Sequence, residues 1–357
     1  MIKVYIPDNN INERIYIVNV LIGEFLGLDY EIIKSNKISW EIEIENGSKL
    51  IIQDYFFNKY KNDLEYLKLE NIPLSINYGQ KNNNQFIPED NIPIIFGEDK
   101  LVLDKNSKTI ICGIDIFASS FFMITRWEEY VNNIRDIHDR FPGKESIAYK
   151  FGFLDRPVVN EYVEMLWNML KYLGLNQERK KREYKIILTH DVDVPFEIIG
   201  KTLFSQLKLA ISDIIFRKNI KSSIEKIKAL FLSNEQKLKY DKFYTFNYIM
   251  NQSEKRNLKN IFYFLPYGSL EQKYKVKVDN PIIIKIIQEI VQRGHEIGIH
   301  GSYETYNSKF KFLNEVYHLY EILDKNKIYV KINGGRQHYL RFKIPNTFYN
   351  YLEAGLE

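Results

Sequence analysis

From residue 184 onward, short apolar runs alternate with longer amphipathic segments, and this alternation constrains the fold more than any other feature of the sequence. Four strands and three helices are predicted in this part of the chain. The strands cover residues 184–188, 260–265, 296–299 and 328–332, and the helices cover residues 281–292, 313–324 and 345–353. Strands that alternate with helices indicate βα units, which form a parallel sheet with right-handed crossovers. We therefore expect an α/β fold here.

The predicted βα units are too few to close a barrel, which takes about eight strands. The sequence ends at Glu357, where a further strand is expected. We therefore expect a (β/α) barrel that is truncated on its C-terminal side.

Residues 196–242 predict a long, lysine-rich helical insertion between the first two strands. Its basic face could bind an anionic polymer or could simply face solvent. Charge patterns of this kind favour the solvated face.

In the first half of the chain, strands and helices are predicted without regular alternation, and this mixture predicts a small α/β domain over residues 1–175. The turn pair Asn46-Gly47 separates two alternating runs and indicates a hairpin. The charge run over residues 176–183 (NQERKKRE) marks the boundary, so a second domain is expected over residues 184–357. Predicted strands cover residues 3–6, 40–45, 49–53, 92–96 and 108–112, and predicted helices cover 16–26, 116–131 and 160–173.

Composition excludes several classes of protein. The formal net charge of +4 is small for 357 residues, so a general nucleic-acid role is not expected. A single cysteine, Cys112, excludes an internal disulfide framework and a cysteine-cluster metal site. The N-terminus has no signal-peptide pattern, and the most apolar stretch, residues 114–124, is too short to span a bilayer. We therefore expect a protein of the reducing cytoplasm without a membrane span.

Three short runs carry four of the six histidines, and each follows or ends a predicted strand. They are residues 188–193 (LTHDVD), 294–300 (GHEIGIH) and 335–338 (GRQH). Catalytic residues of α/β barrels gather at the carboxyl ends of the strands. The three runs therefore predict a site at that edge of the sheet.

Asp191 and Asp193 are two residues apart at a strand end, so both side chains can face the same side. Two close carboxylates do not both ionise freely unless a cation lies beside them. A metal that binds one and leaves the other as a base removes this repulsion. The alternative is a pair of carboxylates that cap the helix after Pro195. Asp is depleted within strands, which favours the metal.

His300 ends the third predicted strand and is the best imidazole ligand candidate, although a lone strand histidine is more often a core residue. Together, Asp193 and His300 favour zinc or a similar divalent ion. His295 begins the same strand, so a structural role at the opposite end is favoured. His338 and Glu304 remain alternatives for the third ligand, Glu304 because it lies four residues after His300.

Arg336 lies two residues before His338, and its guanidinium could hold Asp191 ionised and oriented through a bidentate contact. The alternative is a surface arginine. His190, Tyr303 and Arg341 are weaker candidates for substrate contacts.

These motifs together resemble the polysaccharide deacetylase family of metal-dependent carbohydrate esterases. Residues 189–193 (THDVD) resemble the first motif, in which the first aspartate is the base and the second binds metal; these would be Asp191 and Asp193. The second motif is usually His-(Ser/Thr)-x-x-His. Here it reads HGSYE from His300, so its second histidine is replaced by Glu304. Residues 335–342 (GRQHYLRF) are similar to the third motif, whose arginine supports the base.

The resemblance extends over nearly the whole chain. A divergent bacterial subgroup with the HDVD and RQHYLRF forms also has an N-terminal α/β domain, and residues 121–130 and 154–157 are similar to that domain. Two further family motifs, which supply pocket walls and the general-acid histidine, are not visible before Glu357.

The resemblance implies a metal-dependent hydrolase, most simply with Zn²⁺, that removes N-acetyl (less readily O-acetyl) groups from a polysaccharide or glycan precursor. Asp191 and Arg336 would be catalytic, Asp193 and His300 would bind metal with His338 or Glu304, and the partner would be a carbohydrate. The alternatives are a related amidohydrolase acting on a small amide and a degenerate barrel that binds glycans or serves as a scaffold.

Overall fold

The computed structural model describes residues 1–267 and 276–356. The chain divides into two compact units. The first unit comprises Met1–Ile137 and Phe141–Glu183, and the second comprises His138–Arg140 and Tyr184–Glu357. Residues 268–275 and 357 of the predicted second domain lie outside the described residues. None of the described helices is both long enough and apolar enough to cross a membrane.

The first unit is built on a six-stranded mixed sheet with the order β2-β1-β3-β4-β8-β7 and a separate two-stranded ladder, β5-β6. Its strands are β1 Ile2–Pro7, β2 Tyr30–Ser35, β3 Trp40–Glu43, β4 Lys49–Ile52, β5 Asn77–Gly79, β6 Ile92–Ile94, β7 Gly97–Asp104 and β8 Thr109–Ile114. Its helices are α1 Ile11–Val18, which continues as π-helical turns over Asn19–Leu26, α2 Ile116–Thr125, α3 Trp127–Val131, α4 Ile147–Lys150 and α5 Val158–Tyr172. The predicted hairpin around Asn46-Gly47 is confirmed as the antiparallel pair β3-β4.

The prediction of one continuous helix over residues 116–131 is wrong, because the helix breaks at Arg126. Arg126 has a left-handed backbone with φ of 54°, ends α2 through its amide bonded to the Phe122 carbonyl, and precedes α3. Its guanidinium also pairs with Glu129. Hydrophobic periodicity continues through such a break, so the pattern alone does not reveal it.

A buried ion pair joins α1 of the first unit to the segment that follows β4. Arg14 is fully buried, donates to the Asp54 carboxylate at 2.5 Å and stacks on the Trp40 ring at 4.5 Å. Its Nε donates to the Asn9 carbonyl at 2.7 Å. Removing one partner of such a pair leaves an uncompensated buried charge.

We therefore expect Arg14→Met to lower the free energy of unfolding of the first unit by about 3–5 kcal/mol. All three tryptophans (Trp40, Trp127, Trp167) lie in this unit, so tryptophan fluorescence during urea unfolding reports on it. Arg179→Ala is the matched control, because Arg179 pairs with Glu164 at 2.7 Å on the surface and its loss should cost less than about 1 kcal/mol. Equal midpoints for the two variants would contradict this account.

The second unit contains a four-stranded parallel sheet with the order β12-β11-β10-β9. Its strands are β9 Leu188–Val192, β10 Asn260–Phe264, β11 Glu296–Gly301 and β12 Gly335–Gln337. Its helices are α6 Leu203–Ile215, α7 Ile220–Ala229, α8 Asn234–Lys237, α9 Phe246–Glu254, α10 Pro281–Gln292, α11 Lys309–Lys325 and α12 Asn346–Glu353. The α/β class and the parallel strands are confirmed. The sheet is a curled half-barrel, and the described residues do not form a closed barrel.

Two predicted strands are displaced in the structure, and strand pairing explains both differences. The strand predicted over residues 184–188 instead runs over Leu188–Val192, because Leu188 pairs with the first residue of β10, Asn260. The strand predicted over residues 328–332 is wrong: Gly335 is the first residue to pair with β11. Consequently Asp191 lies within β9, and Asp193 follows it directly.

Candidate metal centre

Three of the sequence-predicted ligands meet at the carboxyl edge of the second unit's sheet. Asp193 follows β9, His300 lies near the end of β11, and His338 follows β12. Because β11 and β12 are parallel and His300 pairs with Arg336, the ends of the two strands lie side by side. One atom from each of the three side chains joins a cluster suited to a metal ion.

The three ligand atoms form a nearly equilateral triangle. His300 Nε2 lies 3.1 Å from Asp193 Oδ1, His338 Nδ1 lies 3.3 Å from the same oxygen, and the two nitrogens are 3.2 Å apart. Three ligands about 2.0–2.1 Å from a tetrahedral zinc ion lie about 3.4 Å from one another. The spacing of the three atoms therefore fits a small divalent ion.

The backbone fixes the tautomer of His300. Its Nδ1 lies 2.9 Å from the carbonyl oxygen of Arg336. A carbonyl only accepts hydrogen bonds, so Nδ1 carries the proton and Nε2 presents a lone pair to Asp193 and His338. This arrangement of a ring N–H on a carbonyl and a free nitrogen toward the ligand cluster is the usual support of a metal-binding histidine.

Two buried polar atoms of the three ligand residues lack a well-aligned hydrogen-bond partner. They are Asp193 Oδ1 and His338 Nε2, which make no such bond to any residue that the structure describes. With neutral imidazoles, a carboxylate oxygen and two nitrogen lone pairs converge, and a cation relieves their mutual repulsion.

Asp191 lies two residues before Asp193, and its carboxylate accepts a hydrogen bond from Arg336. Arg336 Nη1 donates to Asp191 Oδ1 at 2.9 Å, and Nη2 donates to Thr189 Oγ1 at 2.8 Å. The guanidinium also lies 5.0 Å from the centre of the Tyr263 ring. A Cβ at Gly298 would lie 2.4 Å from that ring, so only glycine leaves room for it. The predicted bidentate contact with Asp191 is wrong, because the two guanidinium nitrogens are shared between Asp191 and Thr189. Arg336 therefore orients Asp191 through a single charged hydrogen bond.

Glu315 on α11 supports the loop after His300, and sequence reasoning missed it. Its carboxylate accepts hydrogen bonds from the Ser302 amide, at 2.9 Å, and from the Ser302 hydroxyl. Burial raises the pKa of Glu315. An acidic residue on the predicted helix was the only signal, and it did not distinguish Glu315 from solvated neighbours.

The turn after His338 has an unusual backbone. Tyr339 and Leu340 both have a left-handed backbone, with φ of 59° and 55°. Each such residue costs about 1–3 kcal/mol when it is not glycine. Strained backbone of this kind concentrates at functional sites, where the surrounding contacts hold it in place.

The structure does not bring Glu304, His190 or His295 into the cluster. Glu304 is more than half exposed and pairs with Lys311 at 3.5 Å. His190 points to the other face of β9 from Asp191, where its Nε2 lies 2.9 Å from the Asn260 side chain. His295, at the start of β11, accepts the Asn260 amide through Nδ1 at 3.2 Å, and burial lowers its pKa.

Arg341 is buried and contacts the loop that carries Tyr303 and Tyr306. Its guanidinium lies between the rings of Tyr303 and Tyr306, 3.7 and 3.9 Å from their centres, and donates to the Tyr303 carbonyl at 2.7 Å. Only 7% of Arg341 is exposed, so its first role is to fix the loop that carries Tyr303.

The segment His138–Arg140 belongs to the second unit although it lies in the first half of the sequence. His138 Nδ1 lies 3.2 Å from the Tyr303 hydroxyl, and its ring lies 4.9 Å from the Tyr339 ring. Arg140 donates to the Tyr339 carbonyl at 3.0 Å. Sequence reasoning missed this segment, because a histidine in a polar loop carries no pattern that relates it to residues so distant in the chain.

Comparison with known proteins bears on the first half of the chain. Residues 2–175 match the model of a family of unknown function, DUF7033. No curated protein and no solved structure gives a significant match to the chain. The matched segment covers 174 of the 357 residues and excludes Asp191, Asp193, His300, Arg336 and His338. The candidate metal centre therefore lies wholly outside the segment that resembles this family.

Proposed function

We propose that the second unit is a metal-dependent hydrolase that removes acetyl groups, N-acetyl in preference to O-acetyl, from a polysaccharide or glycan precursor. The observation that carries the proposal is the convergence of Asp193, His300 and His338 beside an Asp191 that Arg336 holds in place. Zinc is the proposed ion, because one carboxylate and two imidazoles are a ligand set typical of catalytic zinc.

Asp193, His300 and His338 would hold the ion, and three protein ligands leave a position for water. A bound divalent ion would lower the pKa of that water and polarise the acetyl carbonyl. Asp191 would accept the proton of the attacking water as general base and return it to the nitrogen or oxygen of the leaving sugar when the bond to the acetyl carbon breaks. Arg336, itself fixed by its hydrogen bond to Thr189, would keep the Asp191 carboxylate oriented toward the water through its hydrogen bond to Oδ1.

The aromatic residues beside the centre would contact the sugar. Tyr339 is partly exposed, and the rings of Tyr303 and His138 lie against it at 5.4 and 4.9 Å. Sugar rings have apolar faces that pack on aromatic side chains, so this cluster supports a carbohydrate in preference to a small amide. We also propose that the reaction takes place in the cytoplasm, where the buried free thiol of Cys112 stays reduced.

The test is acetate release from N-acetylglucosamine oligosaccharides by the full chain, before and after removal of metal with a chelator and after return of zinc. We expect release only with metal present. Metal binding with acetate release only from small N-acetyl amides would favour the amidohydrolase alternative. Metal binding with glycan binding but no release would favour the non-catalytic alternative.

A further inference from the structure

The helical insertion of the second unit has its polar and apolar faces in an unusual arrangement. The helices α6 and α7 pack against each other as a hairpin. Their buried positions are polar or small, namely Gln206, Ala210, Asp213, Ser222, Ser223, Lys226 and Ala229. A surface helix of a water-soluble protein normally buries its large apolar side chains instead.

The charged groups inside the hairpin are neutralised by one another. The buried Lys226 donates to Asp213 Oδ2 and to Glu197 Oε1, both at 2.8 Å, and Arg217 donates to Asp213 Oδ1 at 2.8 Å. Ser222 donates to the same aspartate. Burial alone would raise the pKa of Asp213, but the hydrogen bonds from Lys226 and Ser222 lower it to about 2. Lys226, Asp213 and Arg217 therefore form an ion-paired network inside the hairpin. The buried Gln206 Oε1 and Ser223 Oγ make no hydrogen bond to the residues that the structure describes.

The outward face of the hairpin carries large apolar side chains at helical spacing, three and four residues apart. On α6 they form a stripe about 120° wide, which is the width of a buried helix face. Ten of these side chains are between 41% and 88% exposed: Leu203, Phe204, Leu207, Ile211, Ile214, Ile215, Ile220, Ile224, Ile227 and Phe231. Contiguous exposed apolar patches of this kind mark interaction sites.

Basic residues border this apolar face. Outside the internal network, residues 201–231 contain five lysines against one acidic residue, Glu225, although the whole chain has a net charge of only +4. Helical spacing places Lys208 at one edge of the α6 stripe and Lys221 and Lys228 at one edge of the α7 stripe. All three lysines are exposed.

We propose that the hairpin α6-α7 docks on an anionic lipid surface, with its apolar face among the acyl chains and its lysines against the headgroups. The combination of an apolar face and a lysine-rich border is the pattern of helices that lie in a membrane interface. At 1.5 Å per residue, the 13 residues of α6 measure about 20 Å, which suits this orientation and falls short of the roughly 30 Å hydrocarbon core.

The lysine border favours lipid over a second copy of the chain. Two hairpins packed face to face would bring their basic borders together, whereas anionic headgroups neutralise them. The inference is independent of the proposed hydrolase, because it uses none of the residues at the carboxyl edge of the sheet.

Cosedimentation of the full chain with vesicles tests the proposal. The vesicles are phosphatidylcholine alone or with about 30% phosphatidylglycerol, since anionic lipid should strengthen binding. We expect binding to the anionic vesicles and at least about 10-fold weaker binding for the double variant Ile211→Ser, Ile215→Ser and for Lys208→Glu, Lys221→Glu. Phe310→Ser removes a large apolar side chain on α11 that is even more exposed than Ile211 and Ile215; it is the control and should bind like the unmodified chain.

Circular dichroism establishes that each variant is folded, and analytical ultracentrifugation measures the oligomeric state. The proposal is overturned if the unmodified chain does not bind anionic vesicles. It is also overturned if the Ile211→Ser, Ile215→Ser variant binds them as tightly as the control does. A dimer that dissociates in that variant, without vesicle binding, would instead assign the face to a second copy of the chain. Loss of vesicle binding with acetate release intact would separate this surface from the proposed active site.

Discussion

Replacing Asp193 or His300 by alanine is expected to lower zinc affinity by at least about 100-fold. Each change removes one of three ligand atoms that lie 3.1–3.3 Å apart and leaves the other two without the charge or geometry to hold the ion. His338→Ala should have a similar effect, since its Nδ1 completes the triangle. Isothermal titration with zinc, after removal of bound metal, measures the zinc affinity of all three variants.

Glu304→Gln is the matched control for these ligand variants. Glu304 was the sequence alternative for the third ligand, but it faces Lys311 and lies outside the cluster. We expect its zinc affinity to equal that of the unmodified chain. A loss of affinity in Glu304→Gln together with full affinity in His338→Ala would assign the third ligand to Glu304 instead.

Asp191→Asn is expected to reduce acetate release by about 10²- to 10⁴-fold while zinc affinity stays the same, because the amide cannot act as a general base. Asp191 lies beside the ligands but is not part of the triangle. The rate is measured with N-acetylglucosamine oligosaccharides and the bound metal by mass spectrometry of the same sample.

Thr189→Val is the companion to this variant. It removes only the second hydrogen bond of Arg336 and keeps the size of the side chain. A positioning role predicts a lower kcat with an unchanged KM and intact zinc binding. If Asp191→Asn retains full activity, Asp191 is not the base, and a different proton acceptor must serve the reaction.

The sequence predicted the location of the candidate centre because it depends on local features. Polar residues that follow apolar strands lie at one edge whenever the strands are parallel, and the alternation of strands and helices made the sheet parallel. The spacing of Asp191 and Asp193 follows from the two-residue period of a strand. These relations need no knowledge of which strands are neighbours.

Features that depend on contacts between distant residues could not be predicted in this way. Hydrophobic runs predicted strands over residues 184–188 and 328–332. Both predictions are displaced along the chain, because the partner strand decides which residues pair. Glu315 and the segment His138–Arg140 reach the surroundings of the site only through the tertiary fold. No spacing rule connects them to Asp193 or His300.

The insertion over residues 196–242 illustrates a different limit. The predicted helical insertion is confirmed by α6 and α7, and its lysines indicated a solvated basic face. Periodicity reveals that a helix has two faces but not which of them is buried. Only the structure reveals that Asp213 and Lys226 lie inside the hairpin while Ile211 and Ile215 lie outside.

Zinc-edge X-ray absorption on the full chain loaded with one equivalent of zinc would measure whether Asp193, His300 and His338 bind the ion. We predict one ion with nitrogen and oxygen ligands at about 2.0–2.2 Å, including two imidazoles, and loss of this spectrum in His300→Ala. A folded protein that takes up no stoichiometric zinc, or a spectrum that His300→Ala leaves unchanged, would contradict the account.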